Sequence, residues 1–194
     1  MMVDTLSVDI VARVRQAANT NEYSRCEIFA SPFANVSVQT HPALMPLLRS
    51  HVYYPDTPSA ADIWSVSAVE SDYLWDFAVE QLNPVWMPVL DYGADGHVVD
   101  VDQQARLIMI PSTRTVIVRD RAEKKVYIVG RDVRGLFVEL YRVVRGVHTA
   151  SAINSGAMAF HSLSVVRQGR GVCFVGDKGA GKSTALLAAA TSHL

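Results

Sequence analysis

Apolar and polar residues recur with two different periods along the chain, and the period predicts the type of each element. Between Val3 and Ala18 the apolar positions fall at helical spacing, which predicts an amphipathic helix with Asp4 as its N-cap. From Cys26 to Thr40 the pattern predicts strand material interrupted at Pro32. A short helix over 41–51 and a strand over 63–69 follow.

The middle of the chain predicts a run of hairpins. Four short apolar segments lie between residues 97 and 130, and turn-forming or charged residues separate them, which predicts an antiparallel or mixed sheet. Before them, 71–96 contains Pro84 and Pro88, so no long regular element is predicted there. After them, helical spacing predicts a helix over 131–147 with Gly146 at its end.

The C-terminal part predicts two buried strands and a helix. Apolar segments on either side of a glycine-containing turn at 167–171 predict the two strands, and the Ala- and Leu-rich end of the chain predicts the helix. Cys173 lies within the second apolar segment and is expected to be a small buried core residue. The other cysteine, Cys26, is far away, so no disulfide framework is predicted.

Composition narrows the class of protein. The chain has 194 residues, 49% of them hydrophobic and 19% charged, which favours a packed core over long disorder. Its formal net charge of −1 gives no reason to expect nucleic acid as the main partner. The N-terminus lacks the pattern of a signal peptide, and no apolar run approaches the ~18 residues that cross a bilayer. We therefore expect a soluble, cytoplasmic protein without a membrane partner.

The segment Gly176–Ser183 fits the phosphate-loop pattern G-x-x-x-x-G-K-[ST] without a gap. In such a loop, glycines adopt torsions closed to other residues, and backbone N–H groups and a helix N-terminus face the phosphates. Lys182 is predicted to pair with the β- and γ-phosphates of ATP, and the Ser183 hydroxyl to reach Mg²⁺. The predicted nucleotide-binding residues are Gly176, Asp177, Lys178, Gly179, Ala180, Gly181, Lys182, Ser183 and Thr184.

Residues upstream of the loop carry a resemblance to a family. His161 stands 21 positions before Lys182, and a strand, a glycine turn and a second strand lie between them. Phe160-His161, Val165-Val166, Gly169-Arg170-Gly171 and the loop resemble the core of the HPr kinase/phosphorylase superfamily, most closely its members found beside peptide-modifying and other specialised biosynthetic enzymes. The resemblance covers about Ala157 to Ala190.

The resemblance implies ATP-dependent phosphorylation of a hydroxyl. The usual acceptor in the family is a serine of a peptide or protein, and sometimes a small molecule. It also implies that His161 lies near the transferred phosphate or its acceptor, as a catalytic residue beside Lys182. The apolar neighbours of His161 are equally consistent with a buried histidine held by a hydrogen bond. Asp177 lies at a variable position of the loop, which favours a solvated carboxylate over a catalytic base.

The chain departs from the family after the loop. Family members continue to a strand that ends in a pair of acids, whereas Asp and Glu are absent from Gly179 to Leu194. The resemblance therefore places the catalytic base and a second metal ligand beyond residue 194, and we expect the chain to be incomplete. We predict an α/β (α+β) fold, with a mixed or antiparallel-sheet substrate or partner domain over residues 1–130 and the beginning of a phosphate-loop kinase domain over 131–194.

Two other functions fit the same residues. The loop is also consistent with a different phosphate-loop NTPase, such as a transporter-type ATPase, although His161 and its strand favour the kinase. A non-catalytic module that binds a peptide or carrier protein is the third hypothesis. Each of the three hypotheses is compatible with a homo-oligomer.

Overall fold

An eight-stranded mixed sheet organises the first of two compact units, Met1–Ser151; the second is Ala152–Leu194. The computed structural model describes residues 5–20, 25–52, 63–81, 87–88, 96–101, 105–158, 160, 162–177 and 179–191. Its elements are α1 (Thr5–Asn19), β1 (Arg25–Ala30), β2 (Asn35–Thr40), α2 (Leu44–His51), β3 (Ile63–Glu70), α3 (Asp72–Gln81), β4 (Met87–Pro88), β5 (His97–Asp100), β6 (Ala105–Ile110), β7 (Thr115–Asp120), β8 (Lys125–Gly130), α4 (Val133–Asn154), β9 (Ser162–Arg167), β10 (Arg170–Val175) and α5 (Lys182–Thr191).

The sheet of the first unit combines parallel and antiparallel neighbours. Its strand order is β1-β2-β3-β8-β7-β6-β5-β4. β2, β3 and β8 are parallel to one another, while β1 pairs antiparallel with β2 and the strands from β4 to β8 form consecutive antiparallel pairs. The predicted α/β class and the predicted run of hairpins are both confirmed.

Helices cover the sheet on both faces because successive strand residues point to opposite sides. In β8, Val126 and Ile128 join a core with residues of α2 and α4, whereas Tyr127 and Val129 join a second core with residues of α1 and α3. β6 and β7 divide their side chains in the same way. Strands buried on both faces read as nearly continuous apolar runs, as 105–110 and 126–129 do.

The helices around the sheet match the predictions in part. α1 lies where helical spacing predicts it, and Asp4, its predicted N-cap, lies outside the described residues. α3 lies within the segment for which the prolines predict no long regular element. Its start is marked by Ser71, whose hydroxyl accepts a hydrogen bond from the Leu74 N–H at 3.3 Å, a usual N-cap contact.

α4 runs through Gly146, so the prediction that Gly146 ends this helix is wrong. The helix ends at Asn154, and Gly156, just beyond it, has φ +87°. The Gly156 N–H donates to the Ile153 carbonyl at 2.9 Å and the Ala157 N–H to the Ala152 carbonyl at 2.9 Å. This bond pair is the Schellman motif, which needs a left-handed residue that glycine adopts without strain.

The second unit contains the hairpin of β9 and β10 and the helix α5. The two strands pair antiparallel around Gln168 and Gly169, with φ of 49° and 75°, the left-handed torsions of a tight hairpin turn. The prediction that these strands are buried is wrong: Val172 is 57% exposed, Val175 is 61% exposed and Cys173 is exposed. In the described part of this unit the hairpin is one sheet layer with α5 beside β9, so its apolar side chains lack a covering layer.

The division between the units falls inside the last turn of α4. The sequence-based division, after residue 130, instead assigns the whole of α4 to the phosphate-loop domain. The structure differs because Leu136, Leu140 and Val144 are buried in the core of the first unit. In the described ranges, no helix combines the length and the hydropathy needed to cross a bilayer.

Candidate phosphate-binding loop

The predicted loop lies between a strand and a helix, as a phosphate loop requires. β10 ends at Val175 and α5 begins at Lys182; between them the structure describes residues 176, 177 and 179–181. β10 is held in place because its residues pair with those of β9. α5 follows the loop because residues 185–190 are alanine and leucine, which favour a helix. The order of elements predicted from the sequence is therefore present in the structure.

Three glycines shape this connection. Gly179 has φ +91° and Gly181 has φ +79°, torsions that an L-residue with a Cβ adopts only under strain. A Cβ on Gly176 would stand 3.2 Å from the Ala180 Cβ, so the ends of the turn approach each other closely. Each glycine of the sequence pattern therefore meets a backbone requirement of the turn.

The Lys182 side chain folds back over the first residues of the loop. Its Nζ donates to the Gly176 carbonyl at 2.7 Å and to the Asp177 carbonyl at 2.8 Å. The side chain is half-buried, whereas Asp177, Ser183 and Thr184 are exposed. The ammonium group is thus held against the loop itself, and both of its carbonyl partners belong to the predicted site.

The start of α5 adds further donors. The Ala185 N–H donates to the Gly181 carbonyl at 2.9 Å, which is the first hydrogen bond of the helix. The N–H groups of Lys182, Ser183 and Thr184 come before it and have no acceptor within the helix. The first turn of α5 contains no acidic residue. The positive end of the helix dipole is therefore free of a competing carboxylate on its own helix, an arrangement that favours an anion.

The residues present fit ATP and leave most of the magnesium shell to other groups. The positive-φ glycines, the Lys182 ammonium and the N-terminal N–H groups fit a phosphate chain, and the exposed Ser183 hydroxyl is an oxygen ligand of the kind that Mg²⁺ takes. Within the described ranges, no group of three or more His, Cys, Asp or Glu side chains could hold a metal ion.

Two predicted site residues cannot be placed against this geometry. Lys178 and His161 lie outside the described residues, so the nucleotide contact predicted for the first and the catalytic role predicted for the second stay predictions. The other predicted nucleotide contacts lie together in one turn and the first turn of α5: Gly176, Asp177, Gly179, Ala180, Gly181, Lys182, Ser183 and Thr184.

The strand before the loop carries a chemical feature that its apolar pattern did not indicate. Hydrogen bonds with the hydroxyls of Ser162 and Ser164 lower the pKa of the exposed Cys173 thiol, because they stabilise the thiolate. The pairing register places Ser164 directly opposite Cys173 and Ser162 two residues away on the same face. The alternation of Ser162 and Ser164 in β9 is the sequence signal that could have indicated this contact.

Comparison of the chain with protein-family models, curated proteins and solved structures gives no match. The resemblance to the HPr kinase/phosphorylase superfamily therefore rests on the residues that carry it.

Proposed function

We propose that this protein is an ATP-dependent kinase of the HPr-kinase-like type, acting in the cytoplasm. It transfers the γ-phosphoryl group of ATP to a hydroxyl, either a serine of a peptide or protein or the hydroxyl of a small molecule, in a specialised biosynthetic pathway. The observation that carries the proposal is the turn between β10 and α5. Positive-φ glycines, the Lys182 ammonium and the N–H groups that precede the first hydrogen bond of the helix occur together there. The strand and histidine upstream favour this type over other phosphate-loop proteins.

Lys182 is the principal charged group of the proposed site. Its Nζ exchanges the Gly176 and Asp177 carbonyls for phosphate oxygens when ATP binds, because an ammonium group bonds more strongly to a negatively charged phosphate oxygen than to a neutral carbonyl. The N–H groups at the start of α5 supply fixed donors that need no rearrangement. Ser183 is the residue of this chain that would hold Mg²⁺, which neutralises phosphate charge when bound.

The proposed transfer needs little covalent chemistry from the protein. The acceptor oxygen forms a bond to the γ-phosphorus, the bond from that phosphorus to the bridging oxygen breaks, and ADP leaves with the released electron pair. The hydroxyl proton must pass to a base. The resemblance implies that His161 lies near this point, while Lys182 and the loop hold the phosphates in line.

Nucleotide binding is the first test. Isothermal titration of the full chain with ATP and Mg²⁺ is expected to show binding, and Lys182→Ala is expected to weaken it at least about tenfold, because one charge-assisted contact is worth roughly 1.5–3 kcal/mol. Lys125→Ala is the matched control, since Lys125 is an exposed lysine of the first unit that pairs with Glu123. Equal affinity of Lys182→Ala and the unaltered chain would exclude the proposed site.

Phosphoryl transfer is the second test and separates the kinase from the other hypotheses. The full-length gene product, which includes any residues that follow 194, is incubated with Mg²⁺, γ-phosphate-labelled ATP and a library of serine-containing peptides, and both labelled peptide and free phosphate are counted. Label on a peptide, lost in Lys182→Ala, supports a kinase. Free phosphate alone indicates an NTPase, and ATP binding without either product indicates a binding module; both results contradict the proposed activity.

A further inference from the structure

One hydrogen-bonding edge of β1 has no partner strand in the part of the chain that the structure describes. β1 stands at one end of the eight-stranded sheet, and in the described ranges it pairs with β2 alone. The Ser31 N–H donates to the Ala34 carbonyl at 2.8 Å where the two strands meet. Because hydrogen-bonding direction alternates along an antiparallel strand, Phe29 and Glu27 also face β2, whereas Cys26, Ile28 and Ala30 direct their N–H and C=O groups outward.

The outward-bonding residues also share one face of the strand, and this face is apolar. Ile28 is 61% exposed and Cys26 is exposed, although natural edge strands usually carry charges or breaks that discourage pairing. β1 carries two charged residues, Arg25 and Glu27, and the charge between Cys26 and Ile28 is already compensated. Arg49 donates to both carboxylate oxygens of Glu27, at 2.5 and 2.8 Å, so Glu27 does not protect the edge with a free charge.

We propose that β1 is a self-association strand, which pairs antiparallel with β1 of a second copy about a two-fold axis at Ile28. This register places Ile28 opposite its counterpart and Cys26 opposite Ala30. All three outward-facing N–H groups then meet outward-facing carbonyls of the other copy. The two sheets become one continuous sheet, and a row of Cys26, Ile28 and Ala30 side chains from both copies covers the exposed isoleucines.

Two registers displaced towards the start of β1 are less favourable for reasons of charge and polarity. An axis at Glu27 would set two carboxylates directly opposite each other, which destabilises a strand pair. An axis at Cys26 would move Ile28 past Arg25, the first residue of β1, and lose the apolar pair. The Ile28 register avoids both, because Glu27 then stands opposite Phe29 of the other copy. Self-complementarity of β1 thus favours a second copy over an unrelated extended peptide.

Sedimentation velocity of the full chain tests the association. The unaltered chain is expected to form a dimer within a series up to about 100 µM, the range of weak interfaces. Ile28→Lys is expected to remain monomeric, since two ammonium groups would face each other with Cα atoms about 5.5 Å apart. Ile63→Lys is the matched control: Ile63 is 59% exposed and in register with Asn35 and Ala30 on the same sheet face, but on an interior strand.

The outcomes separate the proposal from a folding defect and from a different interface. Circular dichroism of both variants verifies the fold. A dimer in the unaltered chain and in Ile63→Lys, with a folded monomer in Ile28→Lys, supports the proposal. A monomer throughout the concentration series, or a dimer that persists unchanged in Ile28→Lys, overturns it.

Cysteine cross-linking tests the register independently. In a Cys26→Ser, Cys173→Ser background, Ile28→Cys is expected to form a disulfide-linked dimer on mild oxidation, because paired Cα atoms lie within disulfide reach. With Cys173→Ser alone, Cys26 is expected not to cross-link, since its counterpart would lie four residues along the strand, about 13 Å away. Cross-linking of Cys26 in place of Ile28→Cys, or of neither, would disprove the Ile28 axis.

Discussion

Replacing Gly135 with alanine is expected to destabilise the first unit, although alanine is the better helix former. Gly135 lies in the first turn of α4, where its N–H donates to the Asp132 carboxylate at 2.8 Å. A Cβ built at this position would stand 1.9 Å from the Thr113 carbonyl oxygen and 2.9 Å from its carbonyl carbon. Both atoms are backbone, so a rotamer change cannot relieve the contact.

The loss of stability in Gly135→Ala depends on which part of the structure would have to shift. The turn at Thr113 is tied to α4 and its entry by two bonds: the Thr113 hydroxyl donates to the Glu139 carboxylate at 3.1 Å, and the Arg131 N–H donates to the Arg114 carbonyl at 3.0 Å. Relieving the clash shifts the helix or this turn, and such overpacking costs about 3 kcal/mol. The better helix propensity of alanine offsets at most about 1 kcal/mol. We therefore expect a loss of roughly 2 kcal/mol.

A second glycine of the same helix supplies the control. A Cβ on Gly146 would have no atom within 4 Å, so Gly146→Ala is expected to stabilise the unit by up to about 1 kcal/mol. Urea unfolding followed by circular dichroism measures both variants, and the denaturant slope shows whether the transition itself has changed. Stabilisation of both variants to the same degree would refute the close approach of α4 to the turn at Thr113.

Three further predictions concern a buried histidine, the torsion of a loop glycine and the reactivity of a thiol. Burial lowers the pKa of His148 from 6.5 to about 4, so the unfolded chain binds more protons between these values. Stability present at neutral pH is lost as pH falls from 6.5 towards 4, by about 3 kcal/mol, and urea titrations at both ends of this window should show a smaller loss in His148→Gln. Gly181→Ala, which forces a Cβ onto φ +79°, should weaken ATP binding in isothermal titration without unfolding the first unit. Ser162→Ala should slow alkylation of Cys173, measured at neutral pH in a Cys26→Ser background, because it removes the larger stabilisation of the thiolate.

The candidate site was predictable because its signals are local. A phosphate loop is defined by consecutive residues, and the positive φ of Gly181 and the position of Lys182 at the start of α5 agree with their places in the pattern. The contact of Lys182 with the Gly176 and Asp177 carbonyls was not predictable, since it depends on the folded path of the loop. The role of His161 stays a prediction.

The predictions that are wrong concern features that depend on packing against residues distant in the sequence. The apolar pattern of β10 predicted a buried strand, yet Cys173 and Val172 are exposed, because burial requires another layer and not only an apolar face. Gly146 was predicted to end α4, but the helix continues, and most of its buried side chains pack in the first core whatever stands at that exposed position.

By itself, the sequence determined the type of most elements, the hairpins between β5 and β8 and the chemistry of the loop after β10. Each of these depends on residues close together in the chain, whose spacing reports which side chains share a face. Only the tertiary structure decided that β2, β3 and β8 are parallel neighbours, that helices cover this sheet on both sides and that β1 remains at its edge. These features depend on contacts between residues far apart in sequence, and the period of a local pattern carries no information about its distant partner.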